Sequence, residues 1–193
     1  MKKSISLCLL LAGTILLTGC SQKFEPTQST IFVTSKGTVK SAIMESFEED
    51  YYNFEELKND VEKMVQDYCK ETSENAIVVE SFTEENDAVT LMMQYETVQD
   101  YNDFNDMVLF SGTLLEAEDA GYIPGELYDI EGQMVSLNEE EKGALKVIVT
   151  EESISIQTSG KIKCVSDNVT ILDSKLAKAL EAGVDHLAFV VYK

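Results

Sequence analysis

The chain has 193 residues, of which 35 are Asp or Glu and 15 are Lys or Arg, a formal net charge of −20. Every one of the 15 is lysine, and such an acidic chain repels nucleic-acid phosphates, which excludes a nucleic-acid partner. The 44% hydrophobic content, with eight Phe and eight Tyr but no Trp, excludes a disordered tail and supports a folded core.

The chain opens with Met1, Lys2 and Lys3, and an uncharged apolar run follows from Ile5 to Leu17. That is the layout of a secretory signal, and the run is shorter than the ~20 apolar residues a membrane-spanning helix needs. It ends at Leu17-Thr18-Gly19-Cys20, which resembles the lipobox of bacterial lipoproteins. The resemblance implies that the Cys20 thiol receives a diacylglyceryl group and that a peptidase cuts before it. Residues 1–19 are then a signal peptide, 20–29 a lipidated cysteine with a short tether, and 30–193 a single acidic domain. Two acyl chains, at about 0.8 kcal/mol per buried CH₂, give firm attachment. The expected address is the outer, extracytoplasmic face of the cell membrane.

Loss of Lys2 and Lys3 takes the net charge to −22, and the charge is segregated. Residues 45–106 hold nineteen acids and three lysines, whereas residues 145–193 hold six of each. Residues 21–29 reach at most ~30 Å. The acidic half is therefore expected to face away from the anionic lipid surface, with Lys23, Lys36 and Lys40 on the membrane side.

In chain order, TIFVT (30–34) and 38–46 predict a hairpin around Lys36-Gly37. Phe54, Leu57, Val61, Met64, Val65 and Tyr68 then make one apolar helical stripe, predicting a long amphipathic helix over about 54–71. Asn53 is its expected cap, with Glu56 as capping-box partner. AIVVESF (76–82) and AVTLMMQYE (88–96) read as strands joined at Glu85-Asn86-Asp87. A short helix is expected over 98–106, a strand at Val108–Phe110, a helical turn over 113–120, and an irregular polar loop over 121–143. KVIVT (146–150), SISIQT (153–158), KIKCV (161–165) and VTIL (169–172) read as strands with tight turns. SKLAKALEA (174–182) is helical in propensity with Gly183 as its stop. LAFVVY (187–192) is a final strand, apolar on both faces and so a candidate for a central position. The expected class is α+β: a mainly antiparallel sheet built from hairpins, one long helix and two or three short ones.

The hairpin ending in Glu45-x-Phe47, the Asp50-Tyr51-Tyr52 turn and the segment Tyr101-x-x-Phe104-Asn105…Leu109-Phe110-x-Gly112-Thr113 carry a second resemblance. Over roughly residues 29–113 the chain resembles small extracytoplasmic lipoproteins of low-GC Gram-positive gut bacteria. That resemblance implies the same address and brings no activity with it.

No catalytic constellation is visible. The single histidine, His186, has no G-x-S-x-G or Cys-His partner pattern, and no phosphate-binding glycine loop exists. DYNDFND (100–106) fails as a calcium loop, because Phe104 takes a ligand place and the glycine is absent; Tyr101 and Phe104 read better as core. Glu45, Glu48, Glu49 and Asp50 form either a solvated face or a diffuse cation site. Tyr51-Tyr52 beside them suits a cationic ligand, or else one ring packs under the helix start. Cys69 and Cys164 form either a bridge or two small buried hydrophobes.

The expected function is a membrane-anchored, non-enzymatic binding or interaction module of the cell envelope, without cofactor. The alternative is a cation- or solute-binding accessory lipoprotein, motivated by the segregated acids and the 121–143 loop. The partners are the membrane, through the acyl chains on Cys20, and a protein or cationic ligand on the acidic face.

Overall fold

The computed structural model describes residues 23–49 and 51–193. Cys20 and the signal segment 1–19 lie outside the described residues, as does Asp50.

Strands β1 (Thr30–Val33) and β2 (Val39–Ser46) form the expected hairpin, whose turn places Gly37 at φ +86°, a left-handed conformation that favours glycine. Helix α1 (Phe54–Glu71) follows, and its Asn53 Oδ1 accepts the Glu56 N–H at 3.1 Å. Strands β3 (Ile77–Glu85) and β4 (Ala88–Tyr95) pair across a two-residue turn in which Asn86 and Asp87 both have positive φ. Helix α2 (Val98–Asn105), strand β5 (Leu109–Thr113) and helix α3 (Leu114–Asp119) come next. The segment expected as irregular contains β6 (Leu127–Asp129), β7 (Met134–Val135) and helix α4 (Glu139–Ala144). Helices α2, α3 and α4 each begin with a full capping box, Thr97/Asp100, Thr113/Glu116 and Asn138/Glu141. Several acids of these helices are thus spent on orphan N–H groups.

The last third contains β8 (Lys146–Thr150), β9 (Ser155–Gln157), β10 (Ile162–Ser166), β11 (Val169–Asp173), β12 (Leu176–Ala179) and β13 (Ala188–Tyr192). Two readings are corrected here. Residues 176–179, expected as helix, form a strand held between β11 and β9. Pairing on both sides outweighs helix propensities of a few tenths of a kcal/mol per residue. Gly183 accordingly closes a bridge with His186 rather than a helix. The turns after β8, β9 and β10 do not close hairpins either; each carries the chain from one sheet to the other.

There are two sheets. The first has the order β11-β12-β9-β1-β2-β4-β3, antiparallel except for the parallel pair β1–β9. The second, fully antiparallel, has the order β5-β8-β13-β10-β6-β7. The class is therefore α+β with mostly antiparallel pairing.

The inner face of the first sheet (Ile31, Val33, Ile156, Ala177) meets one face of the second (Ile148, Val165, Val190) in the main core. The other face of the second sheet (Val147, Val149, Phe189, Val191) carries a smaller core closed by Leu114 and Ala117 of α3. Strand β13 feeds both cores and is buried at every residue.

Helix α1 lies on the inner side of the first sheet, against β3. Val65, Tyr68 and Cys69 touch the main core, yet no α1 residue is fully buried and Met64 is 56% exposed. On the opposite, outer face, the chain from Lys23 to Ser29 packs down as an extended strap. Phe24 stacks on Phe32 with centroids 5.9 Å apart, and Gln28 Nε2 donates to Ser155 Oγ at 2.6 Å.

Candidate functional site

The start of α1 does not seal against the sheet. Between them lies an open cleft of about 510 Å³. Alternation along β2 turns Ile43 and Glu45 to the same side, and register brings Leu91 and Val89 of β4 opposite them. Phe82 of β3 completes an apolar floor, and Leu57 and Val61 of α1 form one wall. The other wall is aromatic. Phe47 and Tyr52 stack at 4.8 Å, Tyr51 meets Tyr52 edge-on at 4.8 Å, and Phe54 meets Phe82 edge-on at 5.1 Å. Glu45, Glu56 and Asp60 sit on the rim, and no described lining residue is basic.

Neither tyrosine is packed beneath the helix: Tyr51 is 77% exposed and Tyr52 45%. A hydrogen bond with Tyr51, aided by the nearby Glu49 carboxylate, holds the Tyr52 phenol above its ordinary range. Both rings keep exposed surface that a cation can lie against. Of the residues nominated from the sequence, Tyr51, Tyr52 and Glu45 line the cleft, Glu48 and Glu49 do not, and Asp50 lies outside the described residues; the rim acids Glu56 and Asp60, with Phe47, Phe82 and the Ile43–Leu91 floor, were not singled out as a site. Their signal was the β2 alternation, which puts Glu45 on an apolar face.

The other candidates have structural roles or stand apart. Asp100 is the capping partner of Thr97, Asn102 bonds both the N–H and the carbonyl of Leu109, and Tyr101 and Phe104 pack in the core. His186 Nε2 lies 3.2 Å from Asp167 Oδ1, with both side chains exposed. Among the described residues no three His, Cys, Asp or Glu side chains converge as a metal site. Cys69 and Cys164 are free thiols; Cys69 Sγ lies 3.6 Å from the Ile77 carbonyl, and burial pushes Cys164 up to about 11.

One desolvated acid lies elsewhere. The hydroxyl of buried Tyr101 donates to Glu152, in the turn after β8, and the neighbouring Glu151 Oε1 accepts from Val108 N–H at 2.8 Å. Neither glutamate lines the cleft at α1. Burial raises the Glu152 carboxyl, the Tyr101 hydrogen bond opposes that rise, and the Glu151 charge adds to it.

A raised folded-state value means that the native state takes up this proton before the unfolded chain does. Stability should therefore rise as pH falls from neutral through the raised value, and the gain is complete below the ordinary range of about 4.3. Asp67 and Glu116 act oppositely. Lysine hydrogen bonds lower the first and Thr113 bonds the second, so their contributions are lost in stronger acid. Thermal melting between pH 7 and 5 checks this. Glu152→Gln, which keeps the acceptor, should show a smaller rise than the natural chain; an equal rise would remove Glu152 as a source.

Comparison with protein-family models, curated proteins and solved structures found no match to this chain.

Proposed function

We propose that this chain is an extracytoplasmic lipoprotein, anchored through Cys20, whose acidic domain binds a partner rather than transforming a substrate. The observation that carries the binding role is the open cleft, with an apolar floor, an aromatic wall and a rim whose charged described residues are all acids. That chemistry fits a cationic segment of a protein partner, a Lys or Arg beside an apolar side chain. The apolar group would fill the floor, and the cation would lie over the tyrosines between Glu56 and Asp60. A bare divalent ion is a poorer fit, since no acids converge among the described residues. The anchor rests on the lipobox-like Leu17-Thr18-Gly19-Cys20 and the preceding apolar run.

Two arms test the reading on the full chain. Fed an alkyne fatty acid, expressing cells should label the natural chain and not Cys20→Ser, which should leave the membrane fraction. A labelled, membrane-bound Cys20→Ser would overturn the anchor. In the second arm a Leu-Lys-rich peptide is titrated onto the anchored chain. Glu56→Lys with Asp60→Lys, both exposed, should weaken binding by about tenfold or more. Unchanged binding would remove the cleft from the function.

A further inference from the structure

The strap Lys23–Ser29 points to how the domain sits on its membrane. It is no loose linker. Besides the Phe24–Phe32 stack and the Gln28–Ser155 bond, Gln157 Nε2 donates to the Lys23 carbonyl at 3.1 Å. Ser29 Oγ exchanges two hydrogen bonds with the Met44 backbone, at 2.9 and 3.1 Å. The chain is therefore held to the outer face of the first sheet from Lys23 onward. Only three peptide steps separate Lys23 from Cys20, a reach of about 11 Å at most. A lipid on Cys20 must lie close to that face.

The outer face is also where this very acidic protein carries little net charge. Register assigns to it Lys40, Ala42 and Met44 of β2, and Thr90, Met92 and Gln94 of β4. Across the strap, Lys178 shares a row with Ser155 and Thr30. None of the outward positions on β1, β2, β4, β9 or β12 is acidic. The acids at the margins are mostly engaged: Glu80 with Lys40 at 2.6 Å, Glu25 with Lys23 at 2.6 Å, and Asp173 with the Lys175 N–H; Glu85 stands at the far hairpin end. The helices and their acids lie elsewhere, α1 across the sheet and α3 on the far side of the second sheet. An anionic headgroup layer repels every acidic side of this molecule, and the outer face least.

We infer that the outer face of the first sheet, from β12 across to β3, is a membrane-apposed surface that rests on phospholipid headgroups. The binding cleft is then held on the opposite side of that sheet, toward the outside. The inference depends on the anchored reading above and adds an orientation to it. Half-exposed Met44, Met92 and Val78 among Gln, Thr and Ser give the face the mixed polarity of an interfacial surface. Lys23, Lys36 and Lys40 were expected together on one side; Lys23 and Lys40 are on this face, whereas Lys36 lies in the turn at the end of the sheet.

The absence of tryptophan makes the test clean. The full lipidated chain is reconstituted into phosphatidylglycerol-containing vesicles that carry a nitroxide on the headgroup. Single tryptophans are introduced as Val78→Trp and Gln94→Trp on the outer face, and as Met64→Trp on α1. The two outer-face residues should be quenched severalfold more than Met64→Trp, and two positions guard against one variant failing to fold. Equal quenching on vesicles that float with the protein, or stronger quenching at Met64→Trp, overturns the orientation and leaves the anchor standing. Protein that does not float with the vesicles overturns the anchor, and the orientation with it.

Discussion

Replacing Phe189 with alanine is expected to cost about 3–5 kcal/mol, much of the 5–15 kcal/mol that holds a typical domain folded. Phe189 is 4% exposed and is the second residue of β13. Its ring faces the smaller core beside Leu114, Ala117 and Val149, which pin α3 to the second sheet. Its N–H donates to Ser166 Oγ at 2.9 Å, so the backbone there is tied on both sides and cannot collapse into the vacated volume. Phe189→Leu keeps most of the volume and should cost less than about 1.5 kcal/mol. Urea unfolding of both variants reads the difference. A loss below about 1 kcal/mol for the alanine variant would mean that this core is not cooperative with the rest.

A methyl group at residue 160 should be nearly as damaging. The Cβ of Gly160→Ala would stand 2.3 Å from the Lys193 carbonyl oxygen and 2.4 Å from its carbon. Those atoms are backbone, and Lys161 and Lys193 exchange two hydrogen bonds, at 2.8 and 2.9 Å, that hold them in place. Relief requires the end of β13 to move away from β10, with an expected loss of about 1–3 kcal/mol. In a chain of this length that lowers the melting temperature by roughly 2–4 °C per kcal/mol. Gly143→Ala, where an added methyl meets nothing within 4 Å, is the matched control and should melt within about 1–2 °C of the natural chain.

The sequence was most readable where local pattern and tertiary role agreed. LAFVVY is apolar at every position, and β13 is central and buried throughout. Asn53 as the cap of α1, and Asn86 with Asp87 in their turn, are local chemistry and stand where their side chains predict; the expected capping box is only half made, because Asn53 takes the Glu56 N–H and the Glu56 carboxylate does not return the bond. SKLAKALEA was misread because Leu, Lys, Ala and Glu favour a helix locally. The partners that make 176–179 a strand are β9 and β11, and Ala177 and Ala179 are small enough to turn into the core between the sheets. Periodicity says that 153–158 and 161–165 are strands but not which sheet each joins, because a tight turn can close a hairpin or change sheets. The cleft was half visible. Tyr51 and Tyr52 are neighbours in the chain, while the rim acids come from β2 and from successive turns of α1, and the floor depends on the register of β2 against β4, which no short window of sequence contains.

The parallel pair β1–β9 fixes an order of events as the chain is synthesised. Strands β1 to β4 form a local four-stranded unit in the order β1-β2-β4-β3, complete once residue 95 has emerged, yet β1 still lacks its second neighbour. That neighbour, Ser155–Gln157, lies more than a hundred residues further along. Until it arrives this four-stranded unit carries a bare edge of unpaired amides at what will become the middle of the sheet, the kind of edge that recruits other chains. The join between β1 and β9 is thus a late seam, closed across a long stretch of chain and slow on that account. An emerging chain gains from whatever keeps neighbours apart until the seam closes, and the dense acids of residues 45–106, synthesised before it, supply that repulsion.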